Sequence, residues 1–142
     1  MAHSGAGRRI LLVDDDRGLR HVLSALLQDA GHRVESASDG PEALEMLGEG
    51  ARFDLVLLDI GLPSMNGLDV LARARDLPSP PLVIVMTADD TSATVVEAVR
   101  RQAYRYLRKP FPPNEIIDVV NEASRPAAGV PIEVVSAKPE WL

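Results

Sequence analysis

Three consecutive acids, Asp14-Asp15-Asp16, close the apolar run Ile10-Leu11-Leu12-Val13, and a further acid, Asp59, closes Leu55-Val56-Leu57-Leu58. Thr87 ends the run Leu82-Val83-Ile84-Val85-Met86, and Lys109 stands just past the stretch from Tyr104 to Leu107. Carboxylates gathered at one place repel, and several ionised at close range are costly unless a cation offsets them. A site of oxygen donors with few protein ligands suits Mg²⁺, and no histidine lies near enough in this reading to suggest zinc. A carboxylate facing a divalent cation, an ammonium and a hydroxyl is poised for phosphoryl transfer. The carboxylate oxygen attacks in line, while metal and ammonium screen the charge on the transferring group.

Each of these residues has a blander reading. An Asp after a strand is often only a helix N-cap, and Asp16 is read that way. A Thr after a buried strand is usually a satisfied hydroxyl, and a Lys before Pro is usually solvated. The combination decides: four polar positions fall at the same end of four different strands. His21 and His32 are read as surface histidines, as is His3 in the N-terminal tail. Gly5-Ala6-Gly7 precedes a strand instead of following one, so it is no dinucleotide fingerprint.

The elements that must position these groups alternate. The continuous apolar runs are the mark of strands covered on both faces. Between the first two strands, Leu19, Val22, Leu23, Leu26 and Leu27 recur at helical spacing, with Gly31 as terminator. Val34 to Ser38 reads as a weaker second strand, and Asp39-Gly40-Pro41 opens a helix carrying Ala43, Leu44 and Leu47. A third helix holds Leu68, Val70, Leu71 and Ala74 and stops before Pro78-Ser79-Pro80-Pro81. Val95, Val96, Ala98 and Val99 fill a fourth, and Ile116, Ile117, Val119 and Val120 a final one, Asn114 to Ser124. About five such units with right-handed crossovers give an α/β fold with a doubly wound parallel sheet. Ligands of such sheets bind outside the carboxyl ends of the strands where the order reverses. If the first and third strands are neighbours at that point, Asp14, Asp15 and Asp59 converge on one rim, with Thr87 and Lys109 opposite.

Composition narrows the rest. The 142 residues fit one ordinary domain, and with 4% aromatics its core has to be aliphatic. The chain contains no cysteine, which excludes disulfides, thiolate metal sites and a Cys nucleophile. A formal charge of −6 leaves no basic surplus for direct binding to nucleic acid. Ile10 to Val13 is too short for a signal-peptide core or a membrane span, so the expected location is cytoplasmic. Residues 8–124 form the expected domain. Residues 125–142 read as a linker followed by the start of a truncated C-terminal output domain, because the stretch from Ile132 to Trp141-Leu142 turns apolar again.

Taken together, Ile10 to Asp16, Asp54 to Asp59 with Pro63 and Gly67, Thr87-Ala88 and Lys109-Pro110-Phe111 resemble the receiver domain of bacterial two-component response regulators, over residues 8 to 124. The resemblance implies a flavodoxin-like doubly wound (βα)5 fold with a five-stranded parallel sheet in the order 2-1-3-4-5, in which Asp59 accepts a phosphoryl group from a sensor histidine kinase or phosphotransfer protein. It implies Mg²⁺ held by Asp15, Asp59 and the backbone carbonyl of Gly61, with Asp14 acting through water. Lys109 would pair with the phosphoryl oxygens and Thr87 would hydrogen-bond to them. Tyr106 would be the switch aromatic, and Lys109–Pro110 a cis bond. The helix of Leu19 to Leu27 would meet the kinase. Phosphorylation would switch the surface formed by the fourth helix, fifth strand and final helix, and so control an output domain or partner. The chain would be a signalling switch and not a turnover enzyme, catalysing only its own phosphorylation and dephosphorylation.

The chain departs from the family pattern at Gln102, where Gly is usual, at Arg105 in place of a common acid, and at Asn66 in place of Asp. Gly61 and Asp89 occupy positions that tune phosphoryl lifetime in relatives. The final helix lacks the basic positions of receivers that dimerise through charged pairs, so a homodimer is left open as a partner state and not relied on. Three other functions compete. A haloacid-dehalogenase-like phosphatase would use Asp14 and Asp16, but Asp59, Lys109-Pro110 and the lack of a cap insertion argue against it. A flavin binder on the same topology would find its phosphate repelled by Asp14-Asp15-Asp16. A non-phosphorylated interaction module would have no need of the acids, Thr87 and Lys109.

Overall fold

The computed structural model describes residues 7–48, 52–62, 65–88 and 100–123, together with residues 93, 97 and 98. Five strands, β1 (Arg9–Val13), β2 (Arg33–Ala37), β3 (Leu55–Asp59), β4 (Leu82–Thr87) and β5 (Arg105–Arg108), form one parallel sheet in the order β2-β1-β3-β4-β5. The connecting helices are α1 (Arg17–Asp29), α2 (Gly40–Gly48) and α3 (Gly67–Arg75), and a C-terminal helix (Pro113–Ala123) follows β5. In the fourth expected helix, the described residues Ala93, Glu97, Ala98 and Arg100 are helical. Pro63, Asp89, Val95, Val96 and Val99 lie outside the described residues, as do His3 and residues 124–142.

Alternation along each strand divides the core in two. Ile10, Leu12, Leu55, Leu57, Ile84, Met86 and Leu107 turn toward α1 and the C-terminal helix, where Leu23, Leu27, Ile116 and Val120 meet them. Leu11, Val13, Val56, Leu58, Val83 and Val85 turn toward α2 and α3, against Ala43, Leu47, Val70 and Leu71. This is why the runs of β1, β3 and β4 are continuously apolar: both faces of the central strands are covered. β2 is an edge strand with Arg33, Glu35 and Ser36 exposed, and its bounds fall one residue earlier than the expected Val34 to Ser38. β5 falls one residue later than expected: its ladder to β4 begins at Arg105, and Tyr104 donates its N–H to the Val83 carbonyl (2.7 Å) just ahead of it.

Local signals close the elements. Asp16 Oδ1 accepts the Leu19 N–H at 3.1 Å, so the N-cap reading of Asp16 holds. After α1, Gly31 adopts φ 98°, a left-handed conformation that costs glycine nothing. Asn66 caps α3 by accepting the Leu68 N–H at 2.8 Å. One histidine corrects the sequence reading. His32 is not on the surface but buried, with Nδ1 accepting the Arg8 N–H at 3.0 Å. The α1–β2 turn is pressed against the start of β1, and the imidazole satisfies a backbone donor there. His21 is exposed as expected.

Candidate functional site

Strand register sets the site. β1 and β3 pair up to Val13 and Leu58, so the next residues, Asp14 and Asp59, leave the sheet side by side. Asp59 pairs with Met86 and Thr87 with Arg108, which brings Thr87 and then Lys109 to the same rim. Asp14, Asp59 and Thr87 are buried, at 0%, 5% and 2% exposure, whereas Asp15 is open to solvent. One oxygen from each of Asp14, Asp15 and Asp59 lies within 4.8 Å of the others.

Lys109 bridges the two buried acids. Its Nζ donates to Asp14 Oδ2 at 2.7 Å and to Asp59 Oδ2 at 3.1 Å. The remaining carboxylate oxygens are held by backbone: Asp14 Oδ1 accepts the Asp16 N–H, and Asp59 Oδ1 accepts the Gly61 N–H at 2.9 Å. Burial is the largest influence on both partners of the closer pair. It raises the Asp14 carboxyl above its ordinary range, and the hydrogen bond from Lys109 reverses this only in part. Burial pushes the Lys109 ammonium down, but the hydrogen bond and charge of Asp14, with the charge of Asp59, outweigh it and leave the group raised. Lys109 is therefore charged at any physiological pH. The Lys109–Pro110 bond is cis.

The other expected positions fall around this core. Tyr106 is half-buried on the α2–α3 face, packed against the core cluster there. Gly61 is exposed, and a Cβ built on it would sit 3.5 Å from Asp59 Oδ1, in ordinary contact with the carboxylate. Gly67 is buried beneath the same loop and donates to the Ile60 carbonyl. Arg20 was not among the expected residues, yet its Nη1 donates to the Asp14 carbonyl oxygen at 2.7 Å. Its signal in the sequence is only its place in the first turns of a helix capped at Asp16, where a long side chain reaches back toward the strand end.

Residues 10–121 match the family described as the response regulator receiver domain. The chain belongs to this family. Among curated relatives, the receiver domain is 33% identical to the chemotaxis protein CheY of Thermotoga maritima, over 84% of this chain and 99% of CheY. It is 35% identical to the DNA-binding transcriptional regulator NtrC of Azospirillum brasilense, over 90% of this chain but 27% of NtrC. With the transcriptional regulatory protein PhoP of Escherichia coli K12 it shares 34% identity over 92% of this chain and 58% of PhoP. The chain thus spans about a quarter of NtrC and somewhat over half of PhoP. Among solved structures, a CheY-like receiver domain protein from Methanospirillum hungatei superposes with a TM-score of 0.79 at 30% identity, covering 83% of this chain and 94% of that one. The Thermotoga maritima response regulator TrrA, solved in complex with Mg(2+)-BeF, gives 0.72 at 32% identity, with 81% and 97% covered.

Proposed function

We propose that this receiver domain takes a phosphoryl group onto Asp59 from the phosphohistidine of a sensor histidine kinase or phosphotransfer protein. The observation that carries the reading is the ammonium of Lys109 shared between Asp59 and Asp14 at a rim where Asp15 adds a third carboxylate. An oxygen of Asp59 attacks phosphorus in line. The O–P bond forms as the N–P bond of the phosphohistidine breaks, and the electron pair leaves on the imidazole nitrogen. Lys109 keeps positive charge beside the phosphoryl oxygens, and the Thr87 hydroxyl donates to them once they are in place.

The donor set fits Mg²⁺: three carboxylates within 4.8 Å of one another offer hard oxygen ligands with solvent on one side. Asp14, Asp15 and Asp59, with the Gly61 carbonyl, would hold the ion, whose charge offsets that of the transferring group. The structural likeness to TrrA, known in complex with Mg(2+)-BeF, supports the same assignment.

The new charge on Asp59 draws on Lys109 and Thr87, and their adjustment biases the packing of Tyr106 and of the surface around β5. An output domain or partner reads that surface. The domain is a switch whose chemistry is confined to its own phosphorylation and dephosphorylation.

Intact mass after incubation with Mg²⁺ and acetyl phosphate tests the reading. The parent gains one phosphoryl group and Asp59→Asn gains none. Equal gain in both, or no gain in either, would overturn it.

A further inference from the structure

We infer that Arg20 is a positioning residue for the acidic rim, fixing the peptide that carries Asp14 and Asp15 and thereby the affinity of the site for Mg²⁺. The inference rests on the reading of that rim as the Mg²⁺ site. Every polar group of Asp14 is held. Its N–H donates to the Ala37 carbonyl at 3.2 Å, its carboxylate is bound by the Asp16 N–H and Lys109, and its carbonyl oxygen accepts from Arg20 at 2.7 Å. That carbonyl and the Asp15 N–H belong to one planar unit. Holding the oxygen therefore fixes the plane from which Asp15 departs. Asp15 itself is exposed, so burial does little to orient it. Apart from Lys109, Arg20 is the one side chain among these holds, and it comes from α1, an element that contributes no carboxylate to the cluster.

The placement runs against simple electrostatics. A guanidinium near the positive end of a helix dipole is disfavoured, and a cation beside a metal site opposes the metal. If Arg20 acted through charge alone, its removal would tighten Mg²⁺ binding. A positioning role gives the opposite sign, because groups that orient ligands from outside the first layer cost affinity when lost.

The experiment titrates Mg²⁺ alone into the full chain and follows the Asp15 and Gly61 amide resonances. Arg20→Met is expected to weaken binding roughly tenfold, the lower end for lost orienting partners. Arg20→Lys keeps the charge but loses the planar fork, and is expected to fall between parent and Arg20→Met; it also carries the test should Arg20→Met fail to fold. Arg9→Met is the control for general destabilisation. It loses the 2.8 Å ion pair to Glu35 and the contact with the Phe53 ring, both at the far end of β1. Its Tm should fall with Mg²⁺ affinity unchanged. Unchanged or tighter binding in the Arg20 variants overturns the inference. A parent that binds no Mg²⁺ overturns the reading beneath it, and the inference with it.

Discussion

With none of its side chain exposed, Asp14 ionises against its surroundings, and burial raises its pKa above the ordinary 3.8 in spite of Lys109. The sign of the linkage follows. As pH rises from 3.8 to the raised value, the unfolded chain gives up this proton before the folded one does, so stability falls across that window. The cost is complete above it. Asp14→Asn removes the buried charge but leaves one amide oxygen where two carboxylate oxygens separately accept from the Asp16 N–H and Lys109. Without Mg²⁺, its stability relative to the parent should fall as the pH is lowered from neutral toward 3.8, because only the parent gains by taking up this proton; thermal melts at several pH values would check this. Lys109 has the opposite slope. Its raised pKa contributes stability that is fully present below 10.5 and lost as pH rises through the folded value. At Gly61 the issue is access. A Cβ there would stand 3.5 Å from Asp59 Oδ1 without collision. Gly61→Asn should therefore fold normally and shield an acyl phosphate from water, slowing its loss several-fold. The decay of the phosphorylated mass with time measures this, and an unchanged rate would count against it.

The elements owe their precision to a few backbone positions. A Cβ on Gly67 would lie 2.3 Å from the Ile60 Cα and 2.8 Å from the Asp59 carbonyl oxygen, both backbone. The start of α3 is thus pressed directly against the end of β3, and Gly67→Ala has to push the two apart. It should cost about 2 kcal/mol or more, read as a lower urea midpoint. Gly40→Ala would meet the Met65 side chain instead, and should cost less. Gln102 adopts φ 68°, the left-handed conformation expected of the glycine usual there, and its Oε1 accepts from Arg75 at 3.1 Å. Next to it, Arg101 bonds Glu97 at 2.8 Å and the Leu68 carbonyl at 3.0 Å, tying this turn to α3. The departure at Gln102 was visible in the sequence, but the side-chain bond that accompanies it was not. Strand positions were legible wherever both faces are covered, as in β1, β3 and β4. They slipped by a residue at the edges, where the pattern is half polar.

For the molecule as a whole, alternation and handedness led to a doubly wound parallel sheet, the order β2-β1-β3-β4-β5 came with the family resemblance, and the acids, Thr87 and Lys109 followed from strand ends. Those signals are local to a strand. Arg20 and His32 were missed because their roles depend on contacts between elements. A guanidinium reaching a carbonyl six residues back, or an imidazole capping the start of another strand, has no period for a sequence pattern to show. The two outer strands carry a further consequence. β2 presents Arg33, Glu35 and Ser36 to solvent, and β5 is four residues long with an arginine at each end. Neither offers the long, flat, apolar ribbon on which chains zip up into fibres. A partner docking on the β5 side would therefore meet side chains, which a shift in packing can rearrange, more than a backbone edge, which it could not.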